Sequence, residues 1–360
     1  MDFDVVIIGS GPAGCCAALT CIQKGLNVII ISGNKYKPVS VGHGLAPSES
    51  IHPGVVSLLA YLNAAHCIEA ASRGIYEGIE SGMYYNALGA DENGPWQGHH
   101  INREAFDAAL LQTAKERGVK LVEHDPVATL LCIENRITGV VTKAGKHLSG
   151  RFVIDASGHK RIAGKTLGFK ETFYSPPLAV WTGLCAGVPV ETIFPKQNYT
   201  RFIPHTHGWT WLAPEPGNYC SWTRMEVKGR QQFNPPSMLR DFQLASEIVK
   251  SNRRWRLFRP VCKEGLLLCG DAAGILDPAA GQGILNALVS SARAAHTIFA
   301  CILNPEFEAL YLAKYDDWFT TGYLEKVDLL KHFYKQHGVE LSDSSIKKAG
   351  HNQGPLSVKF

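Results

Sequence analysis

The sequence predicts an α/β chain: a discontinuous Rossmann-like domain, an inserted domain built on a mostly antiparallel β-sheet, and C-terminal helices. Three observations carry this. Residues 1–34 read strand, glycine turn, helix, strand, with the glycines of VVIIGSGPAG directly behind an apolar run. Residues 171–258 are rich in Trp, Tyr, Phe, Pro and Thr, with strand-length runs between turn signals. Beyond them, Gly265–Cys269 returns to a buried-strand pattern, followed by a second glycine-rich turn and an Ala-rich helix near 283–303. The expected bounds are 1–170 plus 259–303 for the nucleotide domain and 171–258 for the inserted domain. The C-terminal helices then take 304–341, and a polar tail takes 342–360.

Composition excludes several classes. At 360 residues the chain is long enough for about two domains. A net charge of +4, dispersed along the chain, does not suit a nucleic-acid binder. The 10 cysteines form no CxxC pair and no Cys/His ligand set, so they read as small buried thiols and no metal is expected. No leader pattern and no membrane span is expected, and the expected address is cytoplasmic.

In chain order, Gly9 makes the tight turn, Gly11 leaves room for a pyrophosphate, and Gly14 lets helix and strand approach closely. The helix N-terminus offers N–H groups to the phosphates. The next strand, Val28–Ile31, runs into Ser32 where a nucleotide site usually carries an acid. That argues against NAD, whose recognition leans on that acid, and predicts a dinucleotide held loosely. Turn signals follow at Gly42, Gly44, Pro47, Pro53 and Gly54. Residues 102–117 carry Phe106, Leu110, Leu111 and Ala114 at helical spacing, with Asn102 as cap and Gly118 as stop. Strand-like runs cover Lys120–Val122, Ala128–Ile133, Ile137–Thr142 and Arg151–Ile154, then Leu178–Cys185, Tyr199–Ile203 and Trp209–Ala213. Residues 306–337 read as one or two amphipathic helices.

The second glycine turn, GDAAGILDPAAGQGILNALVSSARAA, spans 270–295. Asp271, directly behind a strand, suits a hydrogen bond to a ribityl or ribose hydroxyl; as a plain alternative it caps the turn. Asp277-Pro278 fixes a rigid turn, and Gly281 and Gly283 open the next helix with little bulk.

With GSGPAG and the DASG at Asp155–Gly158, this segment resembles the FAD-dependent aromatic hydroxylase superfamily. The branch it resembles holds geranylgeranyl-reductase-like proteins and flavin-dependent tryptophan halogenases. GHGLAPSES (42–50) is similar to the branch's GESLPPS-type segment, HINREAFDAALL (100–111) to its DR-x-x-FD-x-x-L helix, and GWTWLAP (208–214) to its GWxWxIP segment. The resemblance implies a glutathione-reductase-like FAD domain with an inserted substrate sheet, so the discontinuous Rossmann-like domain is an FAD-binding domain. It implies that Gly9, Gly11, Pro12, Ala13 and Gly14 hold the pyrophosphate. Ser32 would take the ribose, Arg103 the phosphates or ribityl chain, and Val127 the adenine through its backbone. Asp271 would hold the ribityl chain, while Pro278 with Gly281, Gln282, Gly283 and Ile284 would line the isoalloxazine. Arg103 also reads as a solvated arginine at a helix start.

No second GxGxxG is present, so reduction falls to NAD(P)H visiting a cleft, a partner reductase, or the substrate. The resemblance implies a monooxygenase hydroxylating an aromatic group. Halogenases of the branch need a lysine from the region after the first loop, but none occurs between Lys37 and Lys115. Ala213 also stands where GWxWxIP has Ile, and halogenation is disfavoured. By size and organisation the chain also resembles small flavoproteins that mature cysteine tryptophylquinone oxidases. That implies a tryptophan in a precursor protein as substrate. A flavin-dependent reductase of an isoprenoid or other alkene, and a non-catalytic flavin-binding maturation protein, are the alternatives. Candidate catalytic groups are His43, His205, Glu49 and Pro278, with His52 and His207 beside them and Trp209, Trp211 and Trp222 as cleft or core aromatics.

Overall fold

A computed structural model describes residues 2–33, 46–196, 198–227, 234–277, 279, 281–339 and 341. Strand β1 (Phe3–Ile8) leads through the glycine turn into α1 (Pro12–Gln23) and then β2 (Val28–Ile31). Pro12 starts α1 with a pre-set φ. Residues Pro12 to Cys21 of that helix are all buried, because small Ala, Gly and Cys side chains let it lie close against its neighbours.

Next come β3 (Glu49–Ile51), α2 (Pro53–Tyr61), α3 (His66–Glu69) and β4 (Ser72–Tyr76). Strands β5 (Gly78–Ser81) and β6 (Tyr84–Ala87) form a hairpin, followed by the two-residue strands β7 (Ala90–Asp91) and β8 (Gly94–Pro95) and by β9 (Gly98–Ile101). Helix α4 (Arg103–Glu116) is capped as expected: Asn102 Oδ1 accepts from the Ala105 N–H at 2.9 Å. Strands β10 (Lys120–Val122), β11 (Val127–Ile133), β12 (Arg136–Thr142) and β13 (His147–Asp155) complete this portion.

Helix α5 (Ile162–Thr166) and β14 (Lys170–Phe173) precede the long β15 (Leu178–Ala186) and the short α6 (Val190–Ile193). A meander follows: β16 (Tyr199–His205), β17 (Gly208–Glu215) and β18 (Tyr219–Val227), then β19 (Gln243–Leu244) and β20 (Val249–Arg253). Strands β21 (Arg256–Arg259), β22 (Cys262–Lys263), β23 (Leu266–Leu268) and β24 (Gly274–Ile275) return the chain to the first domain. Helix α7 (Gly283–Leu303) and a single long α8 (Glu308–Gln336) end the described fold.

The first sheet orders its strands β10-β2-β1-β13-β12-β11, with β23 also on β13. Ile8 lies opposite both Ile31 and Asp155, and Asp155 opposite Leu268. Four parallel strands thus end on one edge and deliver Gly9, Ser32, Ala156 and Asp271 to it. In open α/β sheets ligands bind at that edge, outside the carboxyl ends of the strands. The second sheet runs β19-β15-β18-β17-β16-β5-β6, so residues 78–87 join it although they precede α4. A small third sheet, β3-β9-β4, sits between the two.

Helix α7 bears on the expected absence of a membrane span. Its 21 residues have the length and apolarity of a membrane span, which the sequence reading passed over. In the fold it is a core helix, with Ile284, Leu288, Ser291, Ala295 and Ile298 buried along one stripe. Nine of the 10 cysteines are buried, and Cys132 is exposed.

Candidate functional site

The cradle at the strand edge is shaped by glycines whose space is needed for different reasons. A Cβ on Gly14 would stand 2.0 Å from Gly9 O, and one on Gly9 would stand 2.5 Å from Ala156 O with φ at +108°. Those two glycines are demanded by the fold itself. Gly11 is different: among the described residues, its chain neighbours and own helix backbone aside, nothing lies within 4 Å of its Cβ position. It is the N-cap of α1, and no side chain caps that helix start. Open space in front of uncapped N–H groups is what a pyrophosphate fills. Pro12, Ala13 and Gly14 form the first turn behind it.

Ser32 is buried at the end of β2, and its hydroxyl lies 2.8 Å from that of Ser10. The glycine loop therefore supplies a hydroxyl neighbour where an acid would otherwise face the ribose. The Asp125 N–H donates to Ser32 O at 3.3 Å, and Pro126 packs against Gly33. This places Val127, the first residue of β11, beside the end of β2.

Three candidates from distant segments converge. Arg103, the first residue of α4, donates from Nη1 to Glu49 Oε2 at 3.0 Å and from Nε to Asp107 Oδ1 at 2.8 Å. Partial burial disfavours its charge, but Glu49 and Asp107 more than restore it, and its pKa is raised. Asp271 sits in a 3-10 turn behind β23. Burial pushes its carboxyl above the ordinary range, against the pull of Arg253, Arg256 and Arg103, and Glu49 adds to the rise. Arg256 Nη2 donates to Asp271 O at 2.6 Å and so fixes the turn. Glu49, taken from the sequence as an acid near substrate, stands here as a partner of Arg103.

The second glycine turn approaches from the other side. Gly281 has φ of +59°, and its Cβ position looks onto Ser50 O of β3 at 3.7 Å. Among the described residues, Gln282 caps α7 without a side-chain hydrogen bond, nothing lies within 4 Å of the Gly283 Cβ position, and Ile284 is buried. The turn is anchored by Asp277, which is buried. Its carboxylate accepts from Tyr334 Oη at 2.6 Å, the Ala279 N–H at 2.7 Å and Trp255 Nε1 at 3.4 Å. Trp209 Nε1 in turn donates to Tyr334 Oη at 2.8 Å. Burial raises the Asp277 pKa, while these donors work to lower it.

His43 and Pro278 lie outside the described residues. His52 is the N-cap of α2, its Nδ1 accepting from the Gly54 N–H at 3.0 Å. His205 ends β16; burial pushes its pKa down, with Arg224 adding to the effect. Trp222 is buried in a core cluster with Trp181 and Leu212, whereas Trp211 is only partly buried and donates to Ser50 Oγ at 3.0 Å. That last contact exposes a group the sequence reading missed. His100 of β9 is fully buried, stacks on Tyr76 at 5.0 Å, and shares a 2.9 Å hydrogen bond with Ser50 Oγ.

The strand edge thus brings together an uncapped helix N-terminus at Gly11, the Ser10–Ser32 hydroxyl pair, Arg103 with Glu49 and Asp107, Asp271, and a glycine turn facing Ser50. These residues fit FAD. The sequence profile of the tryptophan halogenase family matches residues 91–340, well over half of the chain. The chain belongs to that family. A profile for FAD-dependent oxidoreductases matches residues 4–165. Among curated relatives, a 1H-pyrrole-2-carbonyl-[peptidyl-carrier protein] brominase of Pseudoalteromonas luteoviolacea is 25% identical, over 97% of this chain and 92% of its own length. Digeranylgeranylglycerophospholipid reductase 2 of Methanopyrus kandleri is 26% identical, over 88% of this chain and 82% of its own. Among solved structures, the flavin-dependent brominase Bmp2 superposes with a TM-score of 0.79 at 22% identity, covering 93% of this chain and 88% of its own. A geranylgeranyl bacteriochlorophyll reductase-like protein of Thermoplasma acidophilum gives 0.73 at 19%, covering 96% and 94%. The two structural likenesses concern the fold. The family member described here is an FAD-dependent oxidoreductase of the branch that holds flavin halogenases and geranylgeranyl reductases.

Proposed function

We propose that this enzyme is an FAD-dependent monooxygenase hydroxylating an aromatic ring carried by a protein, with a tryptophan side chain of a partner as the leading substrate. The observation that carries the reading is the seam between β17 and the small third sheet. Trp211, Tyr76 and His100 meet there, with Phe202 against Trp209 and Trp211 on the same sheet. Aromatic faces and edges of this kind suit a planar ring better than a long isoprenoid chain. Bound FAD supplies the electron and oxygen chemistry, and the chain's part is to hold, orient and keep out water. Gly11 and α1 seat the pyrophosphate, Arg103 and Asp271 the linker, and the turn held by Asp277 the ring end. The chain has one GxGxxG, so electrons come from NAD(P)H visiting a cleft or from a partner reductase.

Halogenation is the competing reading, because the family carries it and two of the relatives act on pyrrole groups borne by a carrier protein. The absence of any lysine between 37 and 115 weighs against it. The main cation on β4 is Arg73, which is engaged with Ala46 O and Glu215 and does not deprotonate to act as a nucleophile. A protein-borne substrate is supported by an exposed patch at the open edge of the second sheet. Met83 is 90% exposed at the hairpin tip and Tyr84 73% beside it.

The deciding assay follows oxygen uptake and NAD(P)H oxidation with a flavin reductase, with and without tryptophan-bearing precursor proteins, at zero and high bromide. A product heavier by one oxygen, independent of bromide, is expected. A brominated product, or no oxygen uptake with any reductant, overturns the reading.

A further inference from the structure

Helices α7 and α8 leave between them a cleft of about 170 Å³. Arg293, His296 and Thr297 of α7 line it, with Tyr311, Lys314 and Tyr315 of α8. It is separate from the FAD cradle: α7 opens on the cradle at Gly283, and Arg293 lies nearly three turns further on, about 15 Å along the helix. Among the described residues the lining carries three basic side chains and no acid. Arg293 and Lys314 are exposed, and His296 is half-buried. Lys24, at the C-terminal end of α1, brings a further cation from a third element. Its Nζ lies 5.6 Å from the ring centroid of Phe299, one turn along α7 from His296.

These charges are not neutralised by the fold. Among the described residues, Lys24, Arg293 and Lys314 form no ion pair and donate no side-chain hydrogen bond. The Arg293 guanidinium lies 5.7 Å from the ring centroid of Trp318. The acids of α8 in this stretch are engaged elsewhere or stand aside. Glu308 pairs with Arg136, and Asp316 accepts from the Val261 N–H at 2.7 Å. Asp317 is exposed, and among the described residues it forms no ion pair. His296 registers the imbalance: burial pushes its pKa down, Lys24 and Arg293 push it the same way, and no acid opposes them. Like charges gathered in a cleft with low-dielectric walls concentrate their field and draw in a counter-ion.

We infer that the cleft between α7 and α8 is a binding site for a phosphate group, free or carried on an ester, held by Arg293 and Lys314 with His296 and Tyr311 completing the donor set. Charge selects this class. A phosphate monoester carries about −1.5 to −2 charge at pH 7 and three strong acceptor oxygens, which matches two permanent cations, whereas a carboxylate brings a single charge. A guanidinium pairs with two oxygens of such a group at once. Size points the same way. At about 170 Å³ the cleft is smaller than the roughly 300–1,000 Å³ of pockets that enclose a whole small molecule. It therefore takes a charged group and leaves the remainder of a larger ligand outside. The site is independent of the hydroxylation chemistry proposed above.

The test uses the full FAD-loaded chain, so that the pyrophosphate seat at Gly11 is filled. At constant ionic strength it is titrated with inorganic phosphate, phenyl phosphate and acetate, while tryptophan fluorescence and Tm are followed. The double variant Arg293→Met with Lys314→Met removes both permanent charges at exposed positions, and retained flavin absorption shows that it is folded. Wild type is expected to bind phosphate and not acetate, and the double variant to bind it about tenfold more weakly or worse, the loss of charge-assisted hydrogen bonds. Tighter binding of phenyl phosphate than of phosphate supports a group carried on a larger ester, and equal or weaker binding supports free phosphate. No phosphate binding by wild type, acetate acting as strongly as phosphate, or a double variant that binds like wild type overturns the proposal. Independently, sulfate, a dianion throughout the range, should raise the His296 pKa in histidine spectra, the signal being found by its loss in His296→Gln. A His296 pKa that sulfate leaves unmoved overturns it as well.

Discussion

Replacing Tyr334 by Phe removes one oxygen atom and leaves the ring volume in place. The hydroxyl is the donor at 2.6 Å to the buried Asp277 carboxylate and the acceptor at 2.8 Å from Trp209. Asp277 would keep the Ala279 N–H at 2.7 Å, a long contact to Trp255 at 3.4 Å and the pull of Trp209, while the Trp209 N–H would lose the Tyr334 hydroxyl. A hydrogen bond to a charged group is worth about 1.5–3 kcal/mol, so a loss of about 2–3 kcal/mol is expected, seen as a Tm lower by several degrees. The pH dependence has a definite sign. The Asp277 pKa is already raised in the fold by burial, so its ionisation opposes folding as pH rises from the unfolded-state pKa through the folded one. Removing a donor raises it further. The penalty of Tyr334→Phe should therefore be largest at neutral pH and shrink as the carboxyl is protonated in acid. Because Asp277 anchors the turn carrying Gly281 and Gly283, FAD affinity should fall in parallel, as read by flavin fluorescence. A variant whose Tm matches wild type from acid to neutral pH, with FAD affinity unchanged, would refute the reasoning.

Two further substitutions test the cradle. Among the described residues, Gly11→Ala meets no atom within 4 Å beyond its neighbours and own helix, so the apo protein should keep its Tm while FAD binding, measured by absorption titration, is lost or severely weakened; tight binding would show that the pyrophosphate lies elsewhere. Gly14→Ala drives a methyl to 2.0 Å from Gly9 O, so it should lower the yield of folded protein whether or not FAD is present. Ser32→Glu restores an acid at the end of β2, and a charge-assisted hydrogen bond is roughly twice as strong as a neutral one. FAD should bind more tightly, and an unchanged or weaker Kd would sink the account of that strand end.

What the sequence revealed follows from how local the signals are. GSGPAG is readable because its steric demands arise within a few residues, between Gly9 and Gly14 themselves. The Asn102 cap and α4 are equally local. The pairing of β5 with β16 was not legible, since Gly78 finds Tyr199 only when the whole second sheet forms. His100 carries no pattern of its own. It acquires chemistry from Ser50 and Trp211, which β3 and β17 bring from 50 and 111 positions away. Tyr334 falls in the stretch 306–337 read as amphipathic helix, and only the packing of α8 shows whose carboxylate it meets. Among the candidate histidines, His52 could have been read better: a residue before Pro-Gly at a helix start is a cap position.

Helix α8 bears on the order of assembly. Its side chains reach Arg136 through Glu308, the Val261 N–H through Asp316, Leu268 O through Tyr315, Ile275 O through Tyr323 and Asp277 through Tyr334. Each of those partners belongs to a segment that leaves the ribosome earlier. The nascent chain can pair its strands long before residue 334 is made, yet the turn that completes the cradle gains its Tyr334 anchor only then. The turn that carries Gly281 and Gly283 is thus tied to the far end of α8, so a change there reaches the cradle without touching it.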